Sequence, residues 1–199
     1  MKRHLMILFA KAPAPGKVKT RLIPHFSAER AAQLHHALVE EAWERLYGMA
    51  PLELHTDVET EAWPGLGPRR LQVQGDLGER MLHALETGLG EGYGRVLIVG
   101  SDAPGLPPPH VEQLLDSMAD VALGPVEDGG YYAICCGRTD KGMFEGVRWS
   151  TPHALSDTAA ACARCGLSVQ VGRPWFDIDE PADLERLRDY PSLAGFAPA

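Results

Sequence analysis

The chain has 199 residues, 45% of them hydrophobic, which is enough to bury the core of one compact domain. Its net charge of −8 and pI near 5.4 exclude a general nucleic-acid binder, because that class of protein needs a basic face. No stretch approaches the roughly 20 apolar residues of a membrane span, and the first apolar run is too short for a signal peptide, so we expect a cytoplasmic protein.

We expect a single domain over residues 1–190 and a loose tail over residues 191–199. The four cysteines fall in two close pairs, Cys135 with Cys136 and Cys162 with Cys165. Adjacent residues of a strand point to opposite faces, so Cys135 and Cys136 do not readily ligate one metal together. We therefore expect unpaired thiols in a reducing compartment.

Apolar patterning predicts alternating strands and helices along the chain. Residues 5–9 predict a buried strand and residues 27–49 a long helix capped by Ser27. Residues 95–100 are the clearest strand, apolar on both faces as in the centre of a parallel sheet. The other predicted strands are 52–55, 71–74, 121–125, 131–136 and 167–171, with an extended piece at 176–179. The other predicted helices are 77–89, 108–118, one from Thr151 or Ser156 to Gly166, and 180–190. This alternation predicts an α/β fold, a three-layer α/β/α sandwich with a mostly parallel central sheet.

A basic loop follows the first predicted strand. It contains four cations and no acid, two prolines that stiffen it, and Gly16, which permits a close backbone approach. Loops that leave strand ends bind ligands in α/β sheets, so this loop suits a di- or triphosphate. It is not a P-loop, because Val18 stands where a hydroxyl is needed. The candidate binding residues are Ala10, Lys11, Pro13, Gly16, Lys17, Lys19 and Arg21. The alternative is a solvated basic terminus.

Two carboxylate segments predict a metal site. Asp102 follows the central strand, and Asp177 and Asp179 lie on one face of an extended segment. Carboxylates together with phosphate oxygens hold Mg²⁺ or Mn²⁺ in transferase sites, so Asp102, Asp177 and Asp179 are the candidate ligands. The alternatives are that Asp102 orders its own turn and that Asp179 caps the last helix.

Four further places in the chain contain candidate substrate-binding residues. Glycine beside an acid allows a backbone to approach a sugar, and a helix N-terminus favours anionic or hydroxyl-rich ligands. The candidates are Gly75, Asp76, Ser101, Gly129, Gly130, Trp149 and Ser150, with Asp128 as a base or orienting group. A plain turn at 127–130 and a simple cap at Asp76 are the alternatives.

Together these segments resemble a bacterial family of nucleotide-diphospho-sugar transferases that is DUF2064-like. The matching stretches are residues 9–22, 75–81, 100–104, 128–132, 149–151 and 177–179. The resemblance implies a GT-A fold, a divalent metal and a nucleotide-linked substrate. The usual Asp-x-Asp of GT-A glycosyltransferases is reduced here to Asp102 alone. In this the chain is similar to nucleotidyltransferases such as the molybdenum-cofactor type. Its basic loop also resembles that of the phospholactate guanylyltransferase type.

Three hypotheses follow. The first is metal-dependent glycosyl transfer from a nucleotide sugar to a small-molecule acceptor, with Lys19, Arg21, Asp102 and Asp128 as catalytic residues. The second is nucleotidyl transfer from a nucleoside triphosphate to a phosphorylated small molecule, with release of pyrophosphate. The third is a nucleotide-sensing module without catalysis. Residue types do not identify the base, the sugar or the acceptor.

Overall fold

The structure is a computed structural model that describes residues 3–23 and 25–198. Seven strands are described: β1 (His4–Ala10), β2 (Leu52–Thr56), β3 (Arg69–Leu71), β4 (Arg95–Gly100), β5 (Val121–Pro125), β6 (Tyr131–Cys136) and β7 (Val169–Val171). Four α-helices are described: α1 (Ala28–Leu46), α2 (Leu77–Gly90), α3 (Pro108–Leu115) and α4 (Ala154–Arg164). Three further segments are 3₁₀-helical: Thr20–Leu22, Pro181–Asp189 and Ala194–Phe196.

The strands form one sheet in the order β3-β2-β1-β4-β6-β5-β7. Strand β6 is antiparallel to β4 and β5, and the other described pairs are parallel. The mostly parallel sheet is therefore confirmed. Strands β1, β2, β4 and β5 end at the same edge of the sheet, where β6 begins. We call this the site edge.

Helices cover both faces of the sheet, so the three-layer arrangement is confirmed. Helices α1 and α3 pack on one face, and α2 and α4 pack on the other. Cys135 faces the first layer and Cys136 the second, as strand alternation requires. All four cysteines are free, and Cys165 is only half-buried. No helix within the described residues has the length and apolar composition needed to cross a membrane.

Several element boundaries differ from the predicted ones. Strand β3 spans Arg69–Leu71 instead of 71–74, because pairing with β2 defines it and its half-exposed side chains leave no apolar pattern. Helix α3 ends at Leu115, and α4 begins at Ala154 instead of at Thr151 or Ser156. Strand β7 is also two residues shorter than predicted. Helix α1 is capped as predicted, with the Ser27 hydroxyl accepting from Arg30 N at 3.1 Å.

The C-terminal region packs against α1 and so differs from the expected helix and tail. Residues Pro181–Asp189 form a 3₁₀ helix, in which Leu184 and Leu187, three residues apart, lie on one side and are both fully buried. Leu193 is fully buried in the same cluster. Residues 191–198 therefore contribute to the core, where a loose tail was expected.

Candidate functional site

The basic loop is fixed to the body of the protein at its start. Ala12 N donates to Asp57 Oδ1 at 2.7 Å, just beyond the end of β2. The carbonyl of Lys11 lies 2.9 Å from Nε2 of His35, a buried residue of α1. Gly16 has φ +75°, a left-handed conformation that glycine adopts without strain. The loop therefore leaves β1 along a defined path across the site edge.

Two of the four loop cations are paired with the predicted acids. Lys19 is buried, and its Nζ lies 2.8 Å from Asp102 Oδ1 and donates to the carbonyl of Ile178. Arg21 pairs with Asp179. The side chains of Lys11 and Lys17 are exposed at the surface of the loop. The N-terminal loop thus reaches the late carboxylate segment directly.

Backbone pairing brings the late carboxylate segment to the end of β4. Ile178 N donates to the carbonyl of Asp102 at 2.8 Å, and Ile178 itself is fully buried. Upstream, Trp175 pairs in parallel with Val126 and donates from its indole nitrogen to Pro104 O at 3.0 Å. These contacts place Asp177 and Asp179 on either side of the buried Ile178, next to Asp102.

The last helix is capped differently from the prediction. The Asp183 carboxylate accepts from the backbone nitrogens of Asp179, at 3.1 Å, and Glu180, at 2.8 Å. Asp179 as the helix cap was therefore wrong, because Glu180 is the N-cap residue and Asp183 accepts from its backbone nitrogen. The Asp179 side chain is left to pair with Arg21.

The acids titrate differently because their neighbours differ. Burial raises the pKa of Asp177 to about 6, and the carboxylates of Asp128 and Asp102 add to the rise while Lys19 opposes it. Partial burial also pushes the pKa of Asp102 upward, but the Lys19 ammonium and its hydrogen bond outweigh this and hold the net pKa below its usual value. Asp128 therefore lies close enough to Asp177 to affect its ionisation.

The glycine-rich turn after β5 is built by its own backbone. Asp128 Oδ1 accepts from Gly130 N at 2.9 Å, which closes the turn. Gly129 has φ +91°, and a Cβ there would lie 2.2 Å from Pro152 O. The glycine at 129 is required by this close packing, so its expected contact with a ligand stays a prediction.

The remaining predicted residues have structural partners. The Asp76 carboxylate accepts from Glu79 N at 2.9 Å in a complete capping box, which matches the simple cap considered as an alternative. Ser101 is buried and donates to Asp102 Oδ1 at 3.4 Å, so it supports that carboxylate. Gly75 accepts a hydrogen bond from Arg80 through its carbonyl.

Trp149 packs next to the start of α2. Its ring centroid lies 5.8 Å from that of Phe144 and 6.4 Å from that of Tyr131, the first residue of β6. A Cβ on Gly78 would lie 3.1 Å from the Trp149 ring. Ser150 follows with φ +58°. Trp149 therefore joins the N-terminal end of α2 to the strand that follows the Asp128 turn.

Sequence reasoning missed two residues that shape the site, Asp57 and His35. Asp57 follows β2 at the site edge, so the strand-end rule that identified Asp102 also applies to it. His35 had no such signal, because a single histidine on a helix does not reveal the carbonyl that it contacts. An open groove of about 450 Å³ lies where β2 and β3 end. Its lining includes Thr56, Glu59, Thr60, Arg69, Arg70 and Leu71.

The carboxylates at the site suit a hard divalent cation whose coordination shell is completed by a bound ligand. Within the described residues no group of three or more histidine, cysteine or acidic side chains is arranged to hold a metal ion. Asp102 and Asp177 supply carboxylate oxygens, the donors that Mg²⁺ prefers when phosphate and water complete its shell. The Lys19 ammonium already forms an ion pair with Asp102. Asp179 is less suited, because Arg21 holds its carboxylate.

Solved structures show which class of protein shares this fold. The "putative nucleotide-diphospho-sugar transferase" from Desulfovibrio desulfuricans G20 is 30% identical, with a TM-score of 0.85 over 98% of this chain and 94% of that one. CMP:2-keto-3-deoxy-manno-octonic acid synthetase complexed with CTP is 16% identical, with a TM-score of 0.58 over 94% and 97%. The bifunctional IspDF from Campylobacter jejuni is 12% identical, with a TM-score of 0.61 over 92% and 54%. The last two show the fold alone.

The α/β fold is therefore the one found in nucleotidyltransferases and related sugar transferases. The chain belongs to the family described as "Uncharacterized protein conserved in bacteria (DUF2064)", whose model matches residues 33–151. The match ends before residues 177–179 and begins after the basic loop, whereas the Desulfovibrio structure covers nearly the whole chain. The comparison with curated proteins gives no match.

Proposed function

We propose that this transferase acts in a metal-dependent reaction at the pyrophosphate group of a nucleotide-linked substrate. One observation carries the proposal: a buried cation of the N-terminal loop contacts both Asp102 and the backbone of residue 178. A site that combines basic and acidic side chains suits a pyrophosphate group bound together with a divalent metal ion.

The acidic residues of the site would bind the metal, and the basic residues would bind the phosphates. Asp102 and Asp177 would hold Mg²⁺ or Mn²⁺, which neutralises phosphate charge when bound. Lys17, Lys19 and Arg21 lie on the same loop and would stabilise the charge that grows on the leaving phosphates. The groove where β2 and β3 end offers room for the nucleoside.

The first candidate reaction is glycosyl transfer from a nucleotide-diphospho-sugar. The name of the Desulfovibrio protein, which shares the fold over nearly the full chain, supports it. The bond between the sugar and the diphosphate breaks, the acceptor oxygen bonds to the sugar, and the nucleoside diphosphate leaves. Asp128, in the exposed turn near Asp177, would orient the acceptor and take its proton.

The second candidate reaction is nucleotidyl transfer, which a specific observation favours. Asp102 is the single carboxylate at the end of β4, whereas the basic loop has four cations, enough for a triphosphate. An acceptor phosphate would attack the α-phosphorus in line and pyrophosphate would leave.

The products released distinguish these reactions. The protein is incubated with Mg²⁺ or Mn²⁺, nucleoside triphosphates, nucleotide sugars, and mixed sugar and sugar-phosphate acceptors. Nucleoside diphosphate release identifies glycosyl transfer, and pyrophosphate release identifies nucleotidyl transfer. Asp102→Asn should abolish either product, whereas Asp116→Asn, at an exposed position after α3, should not. Nucleotide binding without any product would support a nucleotide-sensing module and refute the proposal.

A further inference from the structure

Lys19 is an unusual lysine because its charge is buried. Its side chain is 3% exposed, and its neighbours Val18 and Leu22 are buried as well. A buried ammonium is strongly unfavourable unless it is paired and hydrogen-bonded. Among the described residues, Asp102 and the carbonyl of Ile178 meet this condition for Lys19.

The backbone holds Lys19 in this position. Lys19 has φ +47° and ψ +40°, a left-handed conformation that is uncommon for residues other than glycine and asparagine. It precedes the 3₁₀ turn Thr20–Leu22, and Leu22 N donates to its carbonyl at 2.9 Å. The fold therefore sustains local strain at the residue that directs this ammonium toward Asp102.

The same carboxylate is the one assigned to the divalent metal. An ammonium and a divalent cation at one carboxylate repel each other strongly, because the two charges lie only a few ångströms apart in a partly buried site. Even with the carboxylate of Asp177 nearby, three positive charges would face two negative ones, so sharing Asp102 requires a further source of negative charge. A diphosphate is such a source, and the exposed Lys17 on the same loop marks the side from which it would approach.

We propose that Lys19 is the resident cation of the acidic site in the ligand-free protein, and that a divalent metal gains Asp102 only when phosphate groups take over the ammonium. This inference rests on the proposed function for the identity of the metal site. The inference adds the order of binding: free metal is excluded from Asp102, and metal binds there only together with phosphate.

Manganese binding without any nucleotide tests the exclusion. The free Mn²⁺ signal in electron paramagnetic resonance is titrated against wild type, Lys19→Met and Lys17→Met. We expect Lys19→Met to bind Mn²⁺ about tenfold more tightly or better, because the competing charge is gone. Lys17→Met should match wild type, because Lys17 is exposed on the same loop. Adding Asp102→Asn to Lys19→Met should remove the gain. Equal affinity of Lys19→Met and wild type would overturn the inference.

A second measurement uses wild-type protein and does not depend on whether a variant folds. The chain has five lysines, so ¹⁵N-lysine labelling gives a simple side-chain ammonium spectrum, in which buried Lys19 is protected from exchange. Mg²⁺ alone should leave its signal in place, and Mg²⁺ with pyrophosphate should shift it. Displacement by Mg²⁺ alone, or an unmoved signal with both, would contradict the exchange. If Lys19→Met gains Mn²⁺ affinity but wild type shows no turnover, only the transfer reaction is refuted. If wild type turns over but Lys19→Met shows no gain, only the exchange is refuted.

Discussion

Replacing Asp177 by asparagine should stabilise the fold while it removes activity. Burial and the neighbouring acids disfavour the ionised form of this carboxyl, and they raise its pKa from the ordinary 3.8 to about 6. Asparagine has nearly the same shape and carries no charge. The variant therefore keeps the packing and loses the electrostatic penalty, together with the proposed metal ligand.

The sign and size of the effect follow from the two pKa values. Between about pH 4 and pH 6 the folded protein binds a proton at Asp177 that the unfolded chain has released, so stability falls as the pH rises through this window. Above pH 6 the full penalty applies, at most about 3 kcal/mol for a shift of roughly two pH units. Because Asp177 retains some solvent exposure, screening reduces this to about 1–2 kcal/mol.

Urea unfolding of wild type and Asp177→Asn at two pH values measures this difference. At about pH 7.5 the variant should be about 1–2 kcal/mol more stable, and near pH 4 the two proteins should converge. Asp179→Asn is the matched control, because it removes the Arg21 pair and should be neutral or slightly less stable than wild type. A variant at Asp177 that is less stable than wild type near pH 7.5, or a gain independent of pH, would refute this electrostatic account.

Three further predictions concern the edges of the site. Asp128→Asn should lower the pKa of Asp177, which an NMR titration of the side-chain carboxyl carbon measures; an unmoved pKa would mean that the two acids do not interact. Gly129→Ala should lower the unfolding free energy by about 3 kcal/mol or more, because its methyl group would meet a backbone carbonyl. The control Gly146→Ala has a similar φ but open space around it, so the same urea titration should show a loss of only about 1 kcal/mol. Asp57→Ala should raise KM for the nucleotide about tenfold with little change in kcat, since it releases the start of the basic loop; an unchanged KM would contradict that role.

The parts of the site that follow a strand end could be predicted from sequence. The apolar runs of β1 and β4 locate two adjacent strands, and parallel strands end at the same edge of a sheet. This is why Asp102 and the basic loop were expected to meet. The same reasoning could not show the insertion of β6, because a buried antiparallel strand is as uniformly apolar as its parallel neighbours.

The pairing of individual charges could not be predicted. Local spacing predicted that Asp179 caps the last helix, but Glu180 is the N-cap residue and the Asp179 carboxylate pairs with Arg21. Likewise, nothing in the loop sequence distinguishes buried Lys19 from exposed Lys17. These outcomes depend on which groups the tertiary fold brings within reach, and side-chain type alone does not encode that distance.

The contact between Lys19 and Ile178 also determines when the site forms during folding. The two residues are separated by 159 positions, so closing this loop carries an entropic penalty that local helices do not face. Residues 175–178 are also synthesised after every described strand of the sheet. The contact that closes the acidic pocket therefore cannot form until nearly the whole chain has been synthesised.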